Sequence, residues 1–159
     1  MPRRLIQGDR QPDQEFLPEE LLFRRMPRGK WPAGSDKEAL GLLIRFPGCS
    51  MNRSKYSYPE DVIRDGKDEP ESYWVLAWQI GQIPAEIHPI NGGKKFNVVP
   101  THVPVHDNYA HSELRAFPEG SQIEGEPSPL QRSLFRQAMA EIAQVSIEPG
   151  DSFPVREDD

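Results

Sequence analysis

The pattern of apolar and polar positions predicts a sheet-rich chain with one substantial helix. Ser128-Pro129-Leu130 opens that helix, with Ser128 as N-cap and Pro129 at its first position. Leu130, Leu134, Phe135, Ala138, Met139, Ile142 and Ala143 follow at three- and four-residue spacing. That is the apolar stripe of a helix packed by one face, and it predicts a helix to about Gln144.

Strand signals precede it. Tyr73–Ile80 is aromatic and β-branched, which predicts a strand near the centre of a sheet, with Trp74, Leu76 and Trp78 on one face. Ala39–Phe46 reads as a buried strand stopped by Pro47-Gly48, with Cys49 in the turn that follows. Ala85–Ile90 and Lys95–Val99 flank Asn91-Gly92, a hairpin signal, because such turns need positive φ. Pro89 pushes the first arm to an edge, where His88 is exposed. Pro100 and Pro104 predict that His102–Tyr109 is a loop, and Ala110–Phe117 reads as a further strand. On it Ala110, Ser112, Leu114 and Ala116 face one way, and His111, Glu113, Arg115 and Phe117 the other.

Two stretches are harder to place. Phe16–Phe23 carries a helix-start signal at Pro18, while Leu21–Arg25 reads equally as a short strand. Pro59-Glu60-Asp61 predicts a short helix. The expected fold is a single α+β domain over 16–148, a mainly antiparallel sheet with the C-terminal amphipathic helix packed on one face. Residues 1–15 read as a mobile or partner-dependent arm, 64–72 as a loop and 149–159 as an acidic flexible tail.

Composition narrows this picture. A hydrophobic fraction of 36% and 17 prolines among 159 residues predict a modest core with extensive loops. Cys49 is the single cysteine, so an internal disulfide and a Cys-based zinc site within the chain are excluded. No apolar run approaches the ~20 residues that span a bilayer, and the start lacks a signal-peptide core. The expected location is cytoplasmic. Residues 1–55 carry 11 Lys/Arg against 7 Asp/Glu, whereas 56–159 carry 8 against 18. The acidic remainder argues against a broad nucleic-acid surface.

Candidate chemistry gathers in Pro100–Phe117, which holds three of the four histidines. His111 and Glu113 share one face of a predicted strand, and His106 lies five residues earlier. Together they form a candidate acid–base group, with Glu113 orienting His111. They are also the one candidate divalent-metal set, although no His-Glu-x-x-His spacing is present. No cofactor is expected. Arg53, Ser54 and Lys55, just before the short helix, form a candidate anion site. Arg24 and Arg25 open a basic loop over 24–32 that suits phosphate or an acidic partner. There is no Gly-x-x-x-x-Gly-Lys phosphate loop. The plain alternative for each stretch is a solvated loop that satisfies its own backbone.

Three blocks, Leu22-Phe23-Arg24-Arg25, Asn52–Ser57 with Pro59–Val62, and Asn108–Glu113, resemble a pattern in small uncharacterised bacterial proteins. The resemblance implies a bacterial source and a shared site built from those blocks, and no activity. The Phe-Arg-Arg block is also similar to the first strand of ADP-ribosyltransferase-like toxins, whose remaining pattern is not matched here.

Two functions are consistent with these features. The first is a small accessory protein that binds a protein partner within a bacterial complex. The second is a hydrolase or transferase acting on a phosphate-bearing ligand, such as a nucleotide or nucleic acid. In it Arg53 and Lys55 hold the anion while His106, His111 and Glu113 move protons.

Overall fold

The computed structural model describes residues 3–27, 44–64, 73–153 and 156. Seven strands occur in it: β1 (Leu21–Pro27), β2 (Cys49–Arg53), β3 (Tyr73–Gln79), β4 (Glu86–Ile87), β5 (Phe96–His102), β6 (His111–Pro118) and β7 (Gln144–Ile147). They form one sheet in the order β4-β5-β6-β2-β1-β3-β7, antiparallel throughout. Among the described residues two α-helices, α1 (Pro59–Arg64) and α2 (Pro129–Ile142), cover opposite faces. The chain is therefore α+β, mainly sheet, with its C-terminal helix packed on it. No helix among the described residues is long and apolar enough to cross a membrane.

The α2 face holds the larger core. Leu22, Met51, Leu76, Trp78, Val98 and Leu114 meet Phe135 and Met139 of the helix there. Ser128 caps α2 with a full capping box, its side chain accepting from the Gln131 N–H while the Gln131 side chain accepts from the Ser128 N–H. Gln131 also donates through Nε2 to the carbonyls of His88 and Lys94, fixing the loop after β4. At the other end of α2, the Trp78 indole donates to the Met139 carbonyl at 2.8 Å. The α1 face has a smaller core, in which Val62 and Ile63 pack on Phe23, Val75 and Ala77.

Several expectations change. Tyr73–Gln79 is a strand, but it stands sixth in the order, between β1 and β7. The central position belongs to β2, which contains Cys49 in place of the expected turn. Arg24 and Arg25 are strand residues of β1, so the basic loop does not begin there; its residues 28–32 lie outside the described ones. Residues 39–43 of the expected strand also lie outside them, and Ile44 and Phe46 are buried without being in a strand. β5 runs on through Pro100 to His102. The N–H groups of Val98 and His102 point outward, to the Ala85 carbonyl and the Gln14 side chain. Pro100 falls between them, so its missing N–H removes no bond to β6.

The described residues of both chain ends make contacts with the rest of the domain. Leu5 is buried, and its carbonyl accepts from the Tyr109 N–H at 2.7 Å. The expected arm is thus packed against the loop after β5. Phe153 packs on the α1-face core and Arg156 pairs with Glu60 at 2.8 Å, so the described part of the acidic tail also has anchors.

Within the α2 stripe, Phe135 and Met139 are buried while Leu130 and Leu134 are nearly half exposed. Phe135→Ala should cost about 3–5 kcal/mol in a urea titration, whereas Leu134→Ala should stay within about 0.5 kcal/mol. Equal costs would contradict this packing.

Candidate functional site

The geometry of the site follows from strand alternation about β2. Asn52 is the Cα partner of both Phe23 on β1 and His111 on β6, so these three side chains share the α1 face. Ser50 and Glu113 are also partners and lie on that face. Arg53 is one residue on and pairs with Leu22, so it faces α2. Arg53 and His111 therefore lie on opposite faces of the sheet. The expected site, in which Arg53 and Lys55 hold an anion for His111, is not formed.

Arg53 has another task. Its side chain is wholly buried, and its Nε and Nη2 donate to both oxygens of Glu20 at 2.8 Å. The remaining donors reach the carbonyls of Asp13 and Glu15, and the guanidinium stacks on Phe16 at 3.9 Å. The bidentate pair and the stacking fill its hydrogen-bonding geometry. Ser54 accepts from the Leu21 N–H, and Lys55 pairs with Asp13 at 2.8 Å. The hydrogen bond from Lys55, then that from Tyr56, hold the Asp13 carboxyl well below the usual carboxylate range. The predicted anion segment thus pairs with the chain's own N-terminal residues.

His102 belongs to the same knot. Its Nδ1 accepts from the Asp13 N–H at 2.8 Å, so Nε2 carries the hydrogen and donates to the Tyr109 carbonyl. Burial lowers its pKa from the ordinary 6.5, and the nearby Arg53 charge acts in the same direction. Cys49 is buried in the α2-face core, and burial pushes its thiol up, away from the thiolate that chemistry would need.

A different group lines a cavity beside β1 and β2. This cavity of about 460 Å³ is lined by Arg24, Arg25, Ser50, Asn52, Asn108 and His111, with Tyr73 and Val62 among its apolar neighbours. Arg24 Nη1 donates to the Ser50 carbonyl at 2.9 Å, and Arg25 Nη1 to the Val62 carbonyl at 3.1 Å. Asn52 is 3% exposed; its Oδ1 accepts from Asn108 Nδ2 at 2.8 Å. Asn52 Nδ2 and Arg24 Nε are buried with no hydrogen-bond partner among the described residues. Unsatisfied buried donors are costly. No carboxylate lines the cavity among the described residues.

His111 sits at this cavity with both ring nitrogens engaged. Nδ1 is 2.9 Å from the Val103 carbonyl and Nε2 is 3.1 Å from Ser50 Oγ. The expected orienting group, Glu113, is instead 3.4 Å from Arg115 on its own strand. His106 is exposed in the loop between β5 and β6 and is not among the residues lining the cavity. Among the described residues, no three His, Cys, Asp or Glu side chains come together at ion-binding distance.

Of the predicted residues, the cavity therefore unites Arg24, Arg25 and His111. Ser50 is a lining residue that the sequence does not single out, whereas Asn52 and Asn108 stand in the quoted blocks. Comparisons with family models, with curated proteins and with solved structures found no match.

Two outcomes follow for the buried knot. Arg53→Ala leaves Glu20 buried without its partner and should destabilise the protein by about 3–5 kcal/mol in denaturant titration. Lys55→Ala, at an exposed pair, should cost less than about 1 kcal/mol. Because the folded His102 pKa is lowered, the unfolded chain takes up the proton first as pH falls below 6.5. Stability from this group is present above pH 6.5 and is lost as pH falls toward the lowered folded value. The urea midpoint should drop between about pH 7.5 and about pH 5.5, and His102→Gln should flatten part of that drop. A His102→Gln profile as steep as wild type would contradict the assignment.

Proposed function

We propose that the protein binds a phosphate-bearing ligand in the cavity between β1, β2, β6 and α1. One observation supports this reading above the others. Two guanidinium groups and a buried amide converge on a cavity whose described lining includes no carboxylate. Arginine forks suit phosphate oxygens in geometry as well as charge. The amide adds an N–H donor that is not satisfied within the described residues. About 460 Å³ is also within the range of small-molecule sites.

This favours the phosphate-handling expectation over the accessory-protein one, with a changed cast. Of the expected anion-binding residues, Arg24 and Arg25 keep that role and Asn52 joins them, while Arg53, Ser54 and Lys55 leave it. A second basic cavity, of about 180 Å³, lies near Arg4, Arg10 and Lys55. Two of its three cations are neutralised by carboxylates, as neither Arg24 nor Arg25 is among the described contacts. Arg4 pairs with Asp61 at 2.7 Å, Lys55 pairs with Asp13, and Arg10 donates to the carbonyls of Arg4 and Ile6.

Calorimetric titration with inorganic pyrophosphate and with ATP tests the reading. At least one should bind saturably, and more weakly as salt is raised. Asn52→Asp keeps the acceptor for Asn108 but replaces the donor amide with a negative charge. It and Arg24→Ala should each weaken binding at least about tenfold, and Lys55→Ala should leave it unchanged. Binding that ignores the first two variants, or depends on Lys55, would overturn the assignment.

A further inference from the structure

We propose that this cavity is a phosphoryl-transfer site in which Ser50 is the nucleophile and His111 its base; the inference rests on the phosphate-binding reading above. The hydrogen-bond pattern around His111 carries it. A backbone carbonyl can only accept, so the 2.9 Å contact with Val103 places the ring hydrogen on Nδ1. Nε2 then presents its lone pair, and the Ser50 hydroxyl, 3.1 Å away, donates to it. A hydroxyl, a base in hydrogen-bond reach and a third group orienting that base make the arrangement of an activated nucleophile. Here the Val103 carbonyl is the orienting group.

The surroundings fit that assignment. Ser50 is exposed and lines the cavity with His111. Both stand on paired strands in the middle of the sheet, so their separation is set by the ladder between β2 and β6. Arg24 donates to the carbonyl of Ser50 itself, which puts a guanidinium beside the nucleophile. Asn52, two residues along on the same face, adds its amide donor. Two arginines lining one cavity exceed what a single acyl oxyanion needs. They match the charge on the equatorial oxygens of a phosphoryl group.

The atoms balance without a further reactant beyond water. Ser50 Oγ forms a bond to phosphorus as the bond from phosphorus to the leaving oxygen breaks, and the leaving oxygen keeps that electron pair. The serine proton passes to His111 Nε2 and then to the leaving oxygen, which departs as an alcohol. Water next attacks phosphorus and gives a proton to Nε2. The Ser50–phosphorus bond breaks, Oγ takes the proton back, and inorganic phosphate leaves. The net reaction is hydrolysis of one phosphomonoester by one water.

The test incubates the full chain with p-nitrophenyl phosphate, quenches in acid and maps the peptides by mass spectrometry, with pyrophosphate calorimetry alongside. The expected result is nitrophenolate release with a phosphoryl group on the Ser50 peptide. Ser50→Ala should reduce release to the uncatalysed rate while still binding pyrophosphate. His111→Gln should slow release at least about a hundredfold and flatten its pH profile. Pyrophosphate binding without release would overturn the catalytic assignment and leave the binding reading standing. So would release that survives Ser50→Ala or a phosphoryl group found elsewhere. Absence of both binding and release would overturn both.

Discussion

A fully buried guanidinium in the central strand is the constraint on which the rest of this fold depends. Arg53 stands on β2, enclosed on the α2 face with no exposed surface. A charge in that position persists only if its partners are close and well aligned. Glu20 supplies both oxygens, and the carbonyls of Asp13 and Glu15 complete the set. Those acceptors come from the segment leading into β1. Satisfying one side chain therefore fixes the path of the N-terminal residues over the sheet, and with it the seat of Tyr109 and His102. Tyr56 stacks on His102 and meets Tyr109 edge-on, which closes the knot with aromatic surface.

Strand alternation then gives β2 two different jobs. Met51 and Arg53 face α2 and hold the fold together, while Ser50 and Asn52 face α1 and bring their polar groups to the cavity. The two-residue period separates a structural face from one that bears polar groups on a cavity within five consecutive residues. The neighbouring strands contribute by register. Phe23, Asn52 and His111 form one row across β1, β2 and β6, so a slip of one residue would move Asn52 into the core and Arg53 into the cavity. The Arg53–Glu20 pair opposes that slip, because it would leave a buried carboxylate alone.

Much of the fold was legible in the sequence because its signals are local. The capping box at Ser128, the Asn91-Gly92 turn with φ of 51° and 79°, and the alternation along β6 depend on residues close in the chain. What was hidden depends on distant partners. Cys49–Arg53 does not look like a central strand, since two of its five residues are Asn and Arg, which are buried only when matched from elsewhere. The partner of Arg53 is 33 residues earlier and that of Asn52 is 56 residues later. Arg24 and Arg25 read equally as the end of a strand and the start of a basic loop, because a charge run is more often solvated than paired with main-chain carbonyls. For the site, residue types and blocks were readable but faces were not. His111 was recognised, yet its partners were assigned to Arg53 and Glu113, because nothing local reveals that Asn52, not Arg53, stands opposite it.

The central claim is that β2 divides its polar residues between a sealed strut and a ligand-facing wall. Side-chain nitrogen NMR, following the Arg Nε–H and Asn Nδ2–H₂ signals during a pyrophosphate titration, tests it most directly. The account predicts that Arg24 Nε–H and the Asn52 amide shift together and saturate, while Arg53 Nε–H stays still throughout. Movement of Arg53 with Arg24 and Asn52 unchanged would contradict it.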